Sequence, residues 1–252
     1  MRRRLIGPIV ALLGAVALTG SVAAQSTNRD LIEGLEYQLL YVALPLSLFV
    51  LMILVYATIK FHDNDDPQPT TEDPALEVTW TAATAIILLF VGISGYTVLV
   101  SPYISPDQPT ELGDGETIED LEGLPDTDSE ELHVRGFQWG WEITYPEAEV
   151  TTRDEIVIPA DEDVTMWLTA DDVIHSLFVP ELGVKQDAFP GEYTRLHTNA
   201  YEPGEYDGHC VEFCGAGHSR MGVTVVVLEP EEYDAWLEEN AGSENASAPS
   251  TE

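Results

Sequence analysis

Residues 208–221 read GHCVEFCGAGHSRM, and this stretch holds both cysteines of the chain, two of its six histidines and one of its four methionines. Runs of β-forming residues lie on either side of it, EYTRLHTNA at 192–200 and VTVVVLEP at 223–230. Three earlier runs, HVRGFQW, EIVIP and VTMWLTA, have the same character. Together they predict a small all-β sandwich over about 96 residues, from 133 to 228.

The chain that precedes this β region is largely apolar. Residues 1–24 carry three arginines, an apolar run and then small residues, which is the pattern of a secretory signal peptide rather than of a third membrane helix. Two further apolar runs, at 37–61 and 78–100, are each long enough to cross a bilayer. We therefore expect a transmembrane hairpin over residues 25–101. Two crossings after a cleaved signal would put both mature termini and the β domain on the extracytoplasmic side of the cell membrane.

Two other segments are polar and acidic. Residues 102–131 are rich in proline, glycine and acid, and they predict a linker between the hairpin and the β domain. Residues 231–252 begin with a possible short helix and end in a Ser/Ala/Glu-rich stretch, which predicts a disordered tail.

The charge of the chain limits its partners. Forty-five acidic residues against ten basic ones give a formal net charge of -35, which excludes nucleic acid as a partner because binding it requires clustered cations. An acidic surface with so little lysine favours a protein kept soluble in concentrated salt, and hence a halophilic prokaryote as its source. An ordinary acidic protein is the alternative.

The chemistry of residues 208–221 allows several kinds of site. Two cysteines spaced C-x3-C in an exported domain could form a disulfide. However, His218 and Met221 follow Cys214 closely, and His175 lies 35 residues before Cys210. Such a soft ligand set favours copper, and two copper ions sharing both thiolates would use every member of the set. A zinc site with two cysteines and two histidines competes, but it would leave Met221 unused.

The stretch CVEFCGAGHSRM resembles the C-x-E-x-C-G-x-x-H-x-x-M signature of cytochrome c oxidase subunit II. HSLFVPELGVKQDAFPG, GFQWGW and EVTWT are similar to other parts of that family, in the family's order. The resemblance implies a transmembrane hairpin followed by a cupredoxin-like domain, expected at residues 132–230, that carries the dinuclear copper centre CuA. It also implies the electron-entry subunit of a haem–copper terminal oxidase, with oxygen chemistry in subunit I.

The resemblance also assigns roles to individual residues. Glu212 would contribute its backbone carbonyl to copper, and its carboxylate would point towards a magnesium ion at the interface with subunit I. The copper ligands implied by the family motif are His175, Cys210, Glu212, Cys214, His218 and Met221.

Three more residues match family positions outside the copper motif. Trp139 would receive electrons from a soluble donor, either a cytochrome c or a blue-copper protein. The alternative is a core tryptophan of the sandwich, and periodicity cannot separate Trp139 from Trp141, because residues two apart on a strand face the same way. Asp187 would lie near the interface with subunit I, or it could form a turn before Pro-Gly. Glu77 would mark the entrance of a proton pathway, or it could favour a helix N-terminus. His209 lies beside Cys210 but outside the motif, and we interpret it as a loop residue.

The sequence departs from the family at Gly140, where an aromatic residue is usual, and at Glu192, where arginine is frequent. The departure at Gly140 leaves the identity of the donor open, and the departure at Glu192 leaves open whether this residue contacts the haem groups. Other functions also remain: a quinol oxidase subunit, a subunit for nitrous or nitric oxide reduction, a copper carrier, or a secreted sandwich with one disulfide. The expected partners are subunit I, other oxidase subunits, the soluble donor and membrane lipid.

Overall fold

A computed structural model of the chain describes residues 25–67, 69, 71–106 and 129–249. The predicted signal peptide at 1–24 and most of the predicted linker at 102–131 lie outside the described residues. The described part consists of two long helices followed by a β domain, which confirms the predicted fold class.

Two helices form the hairpin, α1 at Thr27–Phe61 and α2 at Pro74–Leu99. The side chain of Ser26 caps α1 and that of Asp73 caps α2, so that unpaired N–H groups of each first turn are satisfied. Both helices are long and apolar enough to cross a membrane. Helix α1 begins ten residues before the predicted span at 37–61, because its first turns are polar and pack on the β domain.

Ten strands in the described residues form two sheets of five that pack as a sandwich. The strand order is β3-β2-β1-β5-β8 in the first sheet and β4-β10-β9-β6-β7 in the second. The strands are β1 Glu130–Phe137, β2 Gly140–Tyr145, β3 Val150–Arg153, β4 Glu155–Pro159, β5 Asp163–Ala170, β6 His175–Val179, β7 Val184–Ala188, β8 Thr194–Asn199, β9 Gly204–Cys210 and β10 Gly222–Leu228.

The C-terminal segment covers one edge of the sandwich. Helix α3, Pro230–Asn240, packs Trp236 edge-on against Tyr145, with ring centroids 5.1 Å apart. The indole N–H of Trp236 then donates to the carbonyl of Ser247 (2.9 Å), and Ala246 lies beside Thr152 of the edge strand β3. This order differs from the predicted disordered tail, because the aromatic residues of α3 give the tail an apolar surface to pack on.

The start of α1 is inserted into the sandwich at the β8 side. The side-chain amide of buried Asn28 donates to the carbonyls of Tyr103 (2.5 Å) and His197 (2.9 Å), and its oxygen accepts from the hydroxyl of Thr198 (2.7 Å). The hydroxyl of Ser26 donates to the carbonyl of Leu182 (2.5 Å). These contacts, which we call the Asn28 junction, fix the β domain against the outer ends of both helices.

The partly buried ring of His197, beside the Asn28 junction, predicts a dependence of stability on pH. Burial lowers the pKa of His197 below its usual value; Asp163 opposes this shift and Arg195 adds to it. Below about pH 6.5 the folded chain therefore binds fewer protons than the unfolded chain, so the free energy of unfolding falls as the pH drops. We expect His197→Gln to reduce the loss of thermal stability between pH 8 and pH 5.5, measured as the unfolding midpoint in detergent.

The matched control for this prediction is His209→Gln, since the side chain of His209 is exposed. It should leave the pH dependence of the wild-type protein unchanged. Equal pH dependence in the His197→Gln variant and the wild-type protein would show that this ring is not responsible.

Candidate metal centre

The Cys loop, residues 210–221, connects the adjacent strands β9 and β10. Cys210 is the last residue of β9, and its N–H donates to the carbonyl of Met221 (2.9 Å) just before β10 begins. His175 is the first residue of β6, which pairs with β9 through Leu177 and Cys210. The sheet thus brings His175 next to a loop that follows 35 residues later in the sequence.

Four donor atoms form a row, one from β6 and three from the Cys loop. His175 Nδ1 lies 3.9 Å from Cys210 Sγ, which lies 3.9 Å from Cys214 Sγ, which lies 3.6 Å from His218 Nδ1. A thioether and a carbonyl add to the row: Met221 Sδ is 3.7 Å from Cys214 Sγ, and the carbonyl oxygen of Glu212 is 3.2 Å from Cys210 Sγ. The structure therefore brings together all six atoms that the motif predicts as ligands.

The two sulfur atoms are not joined. A disulfide requires about 2.05 Å between sulfurs, and the 3.9 Å separation of Cys210 and Cys214 leaves both as free thiols. Burial, together with the neighbouring Cys210, raises the pKa of the Cys214 thiol to about 11. A cation that binds here as a thiolate complex must therefore displace protons. His175, Cys210 and Cys214 form a buried group able to hold a metal ion.

The two tryptophans that the sequence could not distinguish have different environments. Trp139 lies in the turn between β1 and β2 and is 43% exposed, whereas Trp141 in β2 is fully buried and packs edge-on against His175. The expectation that Trp139 and Trp141 face the same way assumed a continuous strand. The turn at residues 138–139 interrupts the strand, so the expectation does not apply. The indole N–H of Trp139 donates to the carbonyl of Cys214 (3.1 Å), and the side-chain amide of Gln138 donates to the same oxygen (2.6 Å).

Sequence reasoning missed a carboxylate at this site. Asp172 accepts hydrogen bonds from His175 Nε2 (2.9 Å) and from the backbone N–H groups of Gln138 (2.8 Å) and Val173 (2.7 Å). Burial opposes ionisation of Asp172, but these bonds hold its pKa below the usual value. Its place three residues before His175 was the available signal, and 45 acidic residues in the chain obscured it.

Two acidic residues belong to the Cys loop and to strand β7. Glu212 has an exposed side chain in the Cys loop. Asp187 in β7 accepts from the hydroxyl of Ser176 (2.6 Å) and from Lys185 (3.1 Å); burial opposes its ionisation, yet these bonds lower its pKa. The backbone N–H of Val211 donates to the carbonyl of Ser176 (3.0 Å), so the Cys loop and β7 are connected through Ser176.

Two remaining residues lie apart from the donor row. His209 points to the exposed side of β9 and packs edge-on against Phe178. Glu77 lies in the first turn of α2, and the helix places it about 33 Å from Leu99 at the end nearer the β domain.

Apolar side chains are exposed in the segments that carry the donor row or contact it. Four side chains there are partly or largely exposed, and Phe213 is the most exposed of them, at 78%. The ring of Phe213 also packs edge-on against His218. These residues, which we call the apolar rim, are Trp139, Val173, Ile174 and Phe213.

Comparisons with known proteins cover both parts of the chain. The family model "Cytochrome C oxidase subunit II, periplasmic domain" matches residues 147–228, and the model of the corresponding transmembrane domain matches residues 17–98. The cytochrome c oxidase subunit 2 of Synechocystis sp. is 32% identical, over 86% of this chain and 75% of its own length. That of Cereibacter sphaeroides is 29% identical, over 89% and 80%. The crystal structure of the periplasmic domain of cytochrome oxidase subunit II of Bradyrhizobium japonicum is 29% identical, covering 46% of this chain and 95% of its own, with a TM-score of 0.43.

Proposed function

The chain belongs to the cytochrome c oxidase subunit II family, and on this basis we propose that it is the electron-entry subunit of a haem–copper terminal oxidase. Its β domain lies on the extracytoplasmic side of the membrane, anchored by α1 and α2. There it accepts electrons from a soluble donor and passes them to haem in subunit I, where oxygen is reduced. The observation that carries this proposal is the buried row of two thiols between two imidazoles.

The donor set fits a dinuclear copper centre. Six donors exceed the four of a structural zinc site, and thiolate, thioether and imidazole together are the ligands that select copper. A bound copper pair would supply a site that takes up and gives up one electron at a time. The two thiols occupy the middle of the row, between the two imidazoles. The proposed ligands are His175, Cys210, the carbonyl of Glu212, Cys214, His218 and Met221.

Trp139 is the proposed point of electron entry. One edge of its ring is open to solvent while its indole N–H contacts the Cys214 carbonyl, so a single side chain bridges the surface and the ligand loop. The apolar rim around it offers short-range contacts to a docking protein. In molar salt the Debye length is about 3 Å, so electrostatic attraction between the two proteins is screened beyond short distances. The contacts of the apolar rim would therefore hold the donor, a cytochrome c or a blue-copper protein.

The surface that carries Glu212 and Asp187 is the proposed interface with subunit I. A carboxylate oxygen is a preferred ligand of magnesium, and the exposed side chain of Glu212 could reach such an ion. Asp187 would lie at the same interface, connected to the Cys loop through Ser176. Electrons would then enter beside Trp139 and leave beside Glu212.

Glu77 is proposed as the entrance of a proton pathway on the other side of the membrane. Its position near the start of α2, about one bilayer thickness from the β domain, supports a role separate from electron transfer. The exposed apolar faces of α1 and α2 would be covered by other oxidase subunits and by lipid.

Metal analysis of the full-length chain purified in detergent tests the proposed function. We expect two copper ions per chain, little zinc, and an EPR signal from one unpaired electron shared by both ions. One zinc ion per chain, or no metal together with a disulfide between Cys210 and Cys214, would contradict it.

A further inference from the structure

One carboxylate contacts both the imidazole end of the donor row and the turn that carries Trp139. Oδ1 of Asp172 accepts from His175 Nε2 (2.9 Å) and from the N–H of Val173 (2.7 Å), and Oδ2 accepts from the N–H of Gln138 (2.8 Å). Both oxygens are therefore used, and each faces a different part of the site.

The contact with His175 fixes the orientation of its ring. Because Nε2 is held by Asp172, the other ring nitrogen, Nδ1, is the one that faces Cys210, 3.9 Å from Sγ. Edge-on packing of Trp141 against the buried ring restricts it further. A carboxylate bonded to the distal nitrogen of a metal-binding imidazole sets its tautomer and raises its basicity.

The contact with Gln138 fixes the turn before Trp139. Asp172 holds the backbone N–H of Gln138 on one side, and the Cys214 carbonyl holds the side chains of Gln138 and Trp139 on the other. The Trp139 ring also lies against Gly217, where an added Cβ would be 2.4 Å from the ring atom Cδ2. The ring can take this position only because residue 217 has no side chain and the turn is held in place.

We propose that Asp172 is a positioning residue that aligns the ligand His175 and the electron-entry side chain Trp139 at the same time. This inference rests on the proposed function, because it assumes a metal at the donor row and electron entry at Trp139. One side chain would thus set both the properties of the centre and the rate at which a donor reduces it.

A simpler role for Asp172 is to attract a cationic donor through its charge, and the chain offers a matched control. Asp171 is the adjacent residue and is also partly exposed, but its carboxylate bonds to Arg135 (2.6 Å) on the surface and touches neither His175 nor the Gln138 turn. Asp171→Asn therefore removes the same charge from nearly the same place without disturbing the two alignments.

The test compares Asp172→Ala, Asp172→Asn and Asp171→Asn in the full-length chain. Four quantities are measured: copper affinity of the metal-free chain, the EPR spectrum, the reduction potential, and the rate of reduction by a reduced soluble cytochrome c. We expect Asp172→Ala to weaken copper binding by about 10- to 100-fold and to change the spectrum and the potential. Its rate of reduction should fall as well.

Asp172→Asn separates the two alignments. The amide oxygen can still accept from His175 and Val173, but the amide nitrogen cannot accept from Gln138. We expect a spectrum close to that of the wild-type protein with a slower reduction by cytochrome c. Asp171→Asn should leave the copper affinity, the spectrum and the potential unchanged, and its rate should exceed that of Asp172→Asn.

Two results would overturn the inference: wild-type affinity, spectrum and rate in Asp172→Ala, or equal slowing in Asp171→Asn and Asp172→Asn, which would show an effect of charge alone. A wild-type chain that binds no copper would instead overturn the proposed function. The two failures are therefore distinguishable.

Discussion

Replacing Cys214 by serine is expected to remove copper from the full-length chain and to lower oxygen consumption by the assembled oxidase about 100-fold or more. Cys214 Sγ has three other donor atoms within 4 Å, those of Cys210, His218 and Met221, so its loss affects the whole row. A serine hydroxyl is a hard, weakly acidic donor that cannot replace a bridging thiolate. Loss of a residue that only orients a ligand costs about 10- to 100-fold, and loss of a ligand should cost at least as much. Metal analysis and oxygen uptake check this result.

A pair of histidine variants supplies the control for Cys214→Ser. His218→Asn should also lose copper, whereas His209→Asn should keep it, because His209 packs on Phe178 outside the donor row. Both changes alter histidine to asparagine within the same fourteen residues. Retention of two copper ions and full activity in Cys214→Ser would exclude a role for this thiol as a ligand.

Replacing Trp139 by alanine is expected to slow reduction of the centre by a soluble donor about 30-fold or more, with the copper EPR spectrum intact. Truncation of an aromatic residue at the centre of a docking surface typically costs at least about 2 kcal/mol, which corresponds to about 30-fold. The change also removes the contact from the indole N–H to the Cys214 carbonyl. Stopped-flow reduction by a reduced soluble cytochrome c measures the rate.

Two variants separate the roles of Trp139. Phe213→Ala removes the more exposed ring of the apolar rim, which packs on His218 rather than on the Cys214 carbonyl, so it should slow reduction less than Trp139→Ala. Gly217→Ala keeps Trp139 but displaces its ring, since the new Cβ would lie 2.4 Å from it, and it should slow reduction nearly as much as Trp139→Ala. Unchanged rates in Trp139→Ala with an intact spectrum would show that electrons enter elsewhere.

The sequence predicted the centre better than its surroundings. Five of the six donors fall within twelve residues, so their grouping could be predicted without knowledge of the fold. His175 could be included among the candidate ligands from its chemistry, but its place depends on the pairing of β6 with β9, which the sequence did not predict. The spacing of Asp172 from His175 was a weak signal among many acidic residues, whereas the bond from Gln138 to Asp172 joins residues 34 positions apart and could not be found from sequence.

Strand prediction failed where the residues are poor β-formers. Strand β9 reads GEYDGHC and was not among the predicted runs, because glycine and aspartate disfavour strands. It forms because it pairs with β10 and β6, and Gly208 allows the close packing: a Cβ there would lie 2.8 Å from a methyl group of Val223. Strand β5 is buried on both faces, since Val164 to Leu168 are all buried. The Arg195 guanidinium covers Trp167 on the outer face.

The Asn28 junction has a consequence for biogenesis. Its bond between Asn28 and Thr198 joins residues 170 positions apart, and the β8 residues it requires are made long after α1 and α2. The hairpin is therefore synthesised first. Its outer end cannot form the bond between Asn28 and Thr198 until strand β8 has crossed the membrane. The Cys loop at 210–221 follows β8, so the junction can close while the proposed metal ligands of that loop are still being exported.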